Sequence, residues 1–197
     1  WIWEEHIRRA SALGLEAGLE RACPVPGVRY KRRGLVTLGY DHTGHGENPE
    51  ASKSALVICE QLGNWVTFPY VRVWPPGVSD TTLAQDLVAI WDYFRPDYAI
   101  GDAYGVGMLT GVNDLLFSKG LTHVNRELVA DGQSNASAWG QWAFAPMRFE
   151  GMTKHIMASA LREAFHQNRA AFPYVDVADE REPEEWLAFV RQMGNMR

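Results

Sequence analysis

Long hydrophobic runs are missing from this 197-residue chain, whose longest apolar stretches are about eight residues, far short of the roughly eighteen that mark a membrane-crossing helix. A membrane is therefore not among the expected partners. Cysteine is scarce as well. Cys23 and Cys59 stand far apart without Cys-x-x-Cys spacing, which argues against a disulfide scaffold or a thiolate zinc site and fits a reducing compartment. Positive charge is in deficit: 19 Lys and Arg against 24 Asp and Glu leave a net charge of -5. The global field does not recruit polyanions, so nucleic-acid binding would need a local basic patch or metal ions. The opening Trp1-Ile2-Trp3-Glu4-Glu5 has neither an initiator Met nor the basic start and apolar run of a secretory signal, and it reads as the start of a fragment. Against these shortages stand 46% hydrophobic and 12% aromatic residues, with eight Trp and eight Phe. That composition excludes wholesale disorder and can supply one substantial core.

The spacing of apolar residues predicts the elements. Ile7, Ala10, Leu15 and Leu19 recur at helical intervals, and Pro24, Pro26 and Gly27 end that segment. A buried strand is expected over Leu35-Val36-Thr37-Leu38-Gly39-Tyr40-Asp41, with an acid at its carboxyl end. Residues 55–59 and 65–73 are β-branched and aromatic and are joined by Leu62-Gly63-Asn64, as in an antiparallel hairpin. Leu83, Leu87, Ile90, Trp91 and Phe94 line one helix face after a Ser79 or Asp80 cap. Tyr98-Ala99-Ile100-Gly101-Asp102 is a second short strand ending in an acid, and Gly105-Val106-Gly107 introduces a helix to about Ser118. Residues 121–128 read as a fifth strand, 130–146 as a surface loop, and 170–174 as a further short strand. Helices are expected around Met152 to Phe165 and after Pro183. This order predicts a mixed five-stranded sheet flanked by helices, an α/β class whose site lies at the carboxyl ends of its parallel strands.

Asp41 and Asp102 both fall there. Two carboxylates in one crevice repel unless a cation neutralises them, and hard oxygen ligands suit magnesium or manganese. An Asp at a strand end is also a common turn former or helix cap, and for one acid alone that reading competes strongly. The Gly44-His45-Gly46 loop is a weak phosphate-cradle signal, because no helix opens there and no Walker Lys-Ser/Thr follows. His42 and His45 read as solvated loop residues rather than ligands. Trp139 and Trp142 suit burial better than base stacking.

The run Gly39-Tyr40-Asp41, then Ala99-Ile100-Gly101-Asp102-Ala103-Tyr104-Gly105-Val106-Gly107, Val112-Asn113-Asp114-Leu115 and Met147-Arg148-Phe149-Glu150, resembles the nuclease domain of tailed-bacteriophage large terminase subunits over roughly residues 34–193. The resemblance implies an RNase H-like fold and metal-dependent DNA cleavage at a two-metal Mg2+ or Mn2+ site, cutting concatemeric viral DNA during genome packaging. It implies Asp41 and Asp102 as catalytic metal ligands, with Glu47 where some members carry a further acid. The third core carboxylate of that family normally lies in a stretch downstream of the last residue here, and Asp176 and Asp179 are the nearest late acids, outside any matching motif. Residues 1–33 are expected to connect to a preceding ATPase domain and 34–197 to form the nuclease domain. Lys31, Arg32, Arg33, Lys53, Arg148 and Lys154 are candidate phosphate contacts. Double-stranded DNA, the portal protein and the small terminase subunit are the implied partners, in the host cell cytoplasm. Two alternatives stay open: a non-catalytic DNA-gripping or portal-docking module of the motor, or another RNase H-like nuclease of resolvase or transposase type.

Overall fold

The computed structural model describes residues 2–42, 53–123, 142–148 and 150–195. Four strands lie where their apolar runs place them: β1 (Leu35–Asp41), β2 (Ser54–Leu62), β3 (Trp65–Trp74) and β4 (Tyr98–Asp102). β2 and β3 form the expected hairpin across Gly63-Asn64, and β1 pairs antiparallel with β2. After β3 the chain crosses back through α2 (Asp80–Phe94) so that β4 lies parallel to β1. Ser79 is the cap, its hydroxyl accepting from the Thr82 N–H.

The sheet has six strands, in the order β5-β4-β1-β2-β3-β6, and its outer members correct two expectations. β5 is Phe144–Met147, its first three residues inside the segment expected to be a loop. Residues 121–123 form no strand, and 124–128 lie outside the described residues. Phe144 and Ala145 are buried to within 1%, and β5 pairs parallel with β4. Pro146 breaks the sequence pattern of a strand, yet an edge strand tolerates a residue without an N–H. β6 is the two-residue strand Ala170–Ala171 on the far side of β3, within the expected short strand.

Alternation along the strands sends side chains to two faces. Val36, Leu38 and Tyr40 of β1 join Leu56, Ile58 and Ala99 beneath α2 and α3 (Val106–Ser118). The opposite face packs Phe68 and Val71 against α1 (Glu4–Glu16), α4 (Gly151–His166) and α5 (Glu184–Asn195). Gly14 lets α1 lie directly on the backbone of Phe172, whose carbonyl oxygen would be 1.8 Å from any Cβ there. The result is a three-layer helix-sheet-helix arrangement. Among the described residues no helix is long and apolar enough to cross a membrane.

Candidate metal centre at the carboxyl ends of the parallel strands

The register of β1 and β4 brings the two acids together. Tyr40 is opposite Gly101, so the next residues, Asp41 and Asp102, end adjacent parallel strands. Strand neighbours are about 4.8 Å apart, and residues in register point to the same face. Tyr40 faces the α2–α3 core; both carboxylates therefore project on the other side, the side of α4. Asp102 is only 9% exposed, and its Oδ1 accepts from the Tyr104 N–H at 3.1 Å. The capping role open to any strand-end Asp is real here, and it orients one carboxylate oxygen.

Asp41 keeps an exposed side, yet its pKa is raised above the ordinary carboxylate value. Burial by the surrounding protein is the largest cause, and the Asp102 charge adds to it, while His42 and Lys154 pull the other way. A folded carboxyl with a raised pKa binds its proton more tightly than the unfolded chain does. At neutral pH, where both states are ionised, the charge costs native stability, and that cost is relieved as pH falls through the raised pKa. Asp41→Asn should therefore raise the metal-free Tm at pH 7. Partial exposure limits the gain to about 1 kcal/mol or less, roughly 2–4 °C for a domain of this size. The gap should close as pH falls towards about 4, where the unfolded Asp also protonates. Melting both proteins across that range checks the sign, and a gap that widens in acid would contradict it.

The donor set suits a hard dication: two carboxylates at the ends of adjacent parallel strands, one of them held above its ordinary pKa partly by the other. Among the described residues no group of three or more His, Cys, Asp or Glu side chains is placed to hold a metal. Glu47 lies outside the described residues, as do His45, the Gly44-His45-Gly46 loop and Trp139. Trp142 is half-buried just before β5. Asp176 and Asp179 sit beyond β6, three strands from β1, and are engaged in local turns: Asp176 Oδ1 accepts from the Ala178 N–H and Asp179 Oδ1 from the Arg181 N–H.

The basic candidates divide between two ends of the sheet. Arg148 follows β5, whose Met147 is in register with Asp102; it is exposed, 3.7 Å from Glu150. Lys154 stands in the first turn of α4, near enough to lower the Asp41 pKa. Lys53 precedes β2 at the same end but is paired with Glu184 at 2.5 Å. Lys31, Arg32 and Arg33 precede β1, at its opposite end, about 20 Å from Asp41 by strand rise. Arg32 pairs there with Asp97. The buried Glu60 carboxylate accepts from the backbone N–H groups of Arg33 and Gly34 and from the Tyr30 hydroxyl.

His42 is not the solvated loop residue its sequence context suggests. It is half-buried, with Nδ1 2.9 Å from the Tyr40 hydroxyl. Its ring rests on Gly105, where a Cβ would lie 2.8 Å from the His42 Cβ and Cγ. The signal that points to this contact is the glycine three residues after Asp102.

No protein-family model and no curated protein sequence matches the chain. Among solved structures, the human cytomegalovirus terminase nuclease domain superposes with a TM-score of 0.58 at 10% identity, covering 100% of this chain and 86% of that one. Two crystal forms of the large terminase from a thermophilic bacteriophage give TM-scores of 0.43 at 9% and 8% identity, covering 79% of this chain. The chain spans 32% and 31% of those phage chains. At such identities the likeness is one of fold. With its mixed sheet and parallel β1–β4 pair, the chain has the RNase H-like fold seen in the terminase nuclease domain.

Proposed function

We propose that this domain is a metal-dependent endonuclease that cuts concatemeric viral DNA during genome packaging. The observation that carries the proposal is the convergence of Asp41 and Asp102 on one face at the ends of adjacent parallel strands. Asp41 and Asp102 would hold Mg2+ or Mn2+, with Glu47 as the further candidate ligand. Bound there, the cation supplies Lewis acidity toward the scissile phosphodiester. The protein's own part is to fix the two carboxylates, Asp102 through the Tyr104 N–H, and to seat the DNA backbone.

Arg148 and Lys154, with Lys53 once released from Glu184, would take phosphates beside the acids. Lys31, Arg32 and Arg33 would reach only a duplex running the length of β1. Such contacts are independent of base sequence. With a net charge of -5 and about three phosphate contacts, duplex affinity should be weak. It should fall roughly 40-fold between about 50 and about 200 mM salt, from a slope near -0.9 per contact. A fluorescence-anisotropy salt titration measures this; a tight, salt-insensitive, sequence-selective complex would refute it.

Residues 1–33 would lead from a preceding ATPase domain, although α1 packs on the sheet. The portal protein and the small terminase subunit would be the protein partners, in the host cytoplasm. The test is plasmid digestion with magnesium and then manganese, using this chain and one extended at its carboxyl end. Metal-dependent nicking lost in Asp41→Asn supports the proposal, and its absence from both forms overturns it. The second reading is a non-catalytic DNA-gripping or portal-docking module of the motor. DNA or portal binding without any Mn2+ uptake would establish that reading instead.

A further inference from the structure

We infer that His42 is a positioning residue that fastens the end of β1 to the turn after β4 and thereby sets the spacing and aim of the Asp41–Asp102 pair. The inference rests on the proposed nuclease reading and goes beyond it by assigning a role to a residue outside the carboxylates. The β1–β4 ladder ends at the Tyr40–Gly101 pair and the β1–β2 ladder at the Asp41–Ala55 pair, so neither ladder holds the chain beyond Asp41. His42 supplies that hold on two sides. Its Nδ1 is 2.9 Å from the hydroxyl of Tyr40, a side chain only 1% exposed in the α2–α3 core. Its ring lies against Gly105, the last residue of the single 3-10 turn Ala103–Gly105 that Asp102 caps.

One imidazole thus links the residue after Asp41 to the turn after Asp102. Tyr40 faces the α2–α3 side and the carboxylates face away from it, so His42 acts on the pair from behind. Gly105 is required by this packing: a methyl group would stand 2.8 Å from two ring-side carbons and 2.9 Å from a third, forcing either the ring or the turn to move. Groups that orient metal ligands in this way are typically worth about 10–100-fold in metal affinity.

The experiment measures Mn2+ binding by the metal-free 197-residue protein through loss of the free-ion paramagnetic resonance signal, with Tm recorded alongside. His42→Ala, Tyr40→Phe and Gly105→Ala should each weaken Mn2+ binding about 10–100-fold. His42→Asn places an amide where Nδ1 sits and can still pair with the Tyr40 hydroxyl, so it should recover most of the loss. Tyr40→Phe should cost less in the His42→Ala background than alone, because the Tyr40–His42 link is common to both changes, and what remains reports the hydroxyl's other partner, the Ser54 side chain. Wild-type-like Mn2+ affinity in His42→Ala and Gly105→Ala would overturn the positioning role and leave the nuclease reading standing. Equal losses in His42→Ala and His42→Asn, tracking equal falls in Tm, would overturn it too, by reducing His42 to a packing residue. A wild-type protein that takes up no Mn2+ would overturn the nuclease reading and this inference with it.

Discussion

Asp41→Asn and Asp102→Asn should each abolish metal-dependent cleavage, lowering the rate by at least about a thousandfold, while the fold survives. Metal assistance contributes several kcal/mol to a hydrolysis of this kind, and each 1.36 kcal/mol is a factor of ten in rate. An amide keeps the shape of the carboxylate but removes the charge that attracts the cation. Because the two acids stand on neighbouring strands with like charges, the substitution also relieves repulsion. Lost activity should therefore come with a metal-free Tm that is level or raised. Timed plasmid nicking with Mg2+ and Mn2+, together with thermal melts, checks both halves. Undiminished nicking by either variant would remove that residue from the site.

The largest effect on stability should come from Asn113, on α3 and outside the acid pair. It is 4% exposed. Its Nδ2 donates to the Leu109 carbonyl at 2.8 Å and to the Phe144 carbonyl at 2.9 Å, and its Oδ1 accepts from the Phe144 N–H at 2.9 Å. One side chain thus satisfies both backbone groups of Phe144 on the edge strand. Asn113→Leu would leave them buried and unpaired, at about 1–3 kcal/mol for each group. A total of about 3 kcal/mol is a large share of the roughly 5–15 kcal/mol that holds a typical domain together, and it should lower Tm by roughly 6–12 °C. Asn113→Asp should fare no better: its shape is right, but a carboxylate would face two carbonyl oxygens. Since Met147 at the end of β5 is in register with Asp102, loosening β5 should also weaken metal-dependent activity on warming before the whole domain melts. A Tm within about 2 °C of wild type for Asn113→Leu would show that water or another group replaces the lost bonds.

The elements that could be read from the chain are those whose signal is local. β1 to β4 are apolar or β-branched runs bounded by turn residues, and α2 announces itself through Leu83, Leu87, Ile90, Trp91 and Phe94, all of which are buried. Asp41 and Asp102 were legible because each closes such a run, and a parallel pairing of those two strands is enough to bring them together. β5 was not legible. Phe144-Ala145-Pro146-Met147 has no strand alternation and contains a proline, and its backbone is completed by a side chain 31 positions earlier. No window of neighbouring residues contains that information.

The same limit applies to the surroundings of the acids. The basic cluster before β1 is eight residues from Asp41 in sequence, yet the extended strand between them carries the charges to the opposite end of the sheet, whereas Lys154, far along the chain, is brought within electrostatic reach. His42 looked like a loop residue because its partners, the Tyr40 hydroxyl and the bare backbone of Gly105, meet only when β4 is laid beside β1. Local patterning of apolar side chains decided which segments became strands and helices and placed an acid at the end of two of them, because burial periodicity is a property of neighbours in the chain. Which basic groups face those acids, what secures the strand ends and which polar side chain completes the sheet edge were decided by tertiary packing, because each depends on a contact between residues that only the folded sheet makes adjacent.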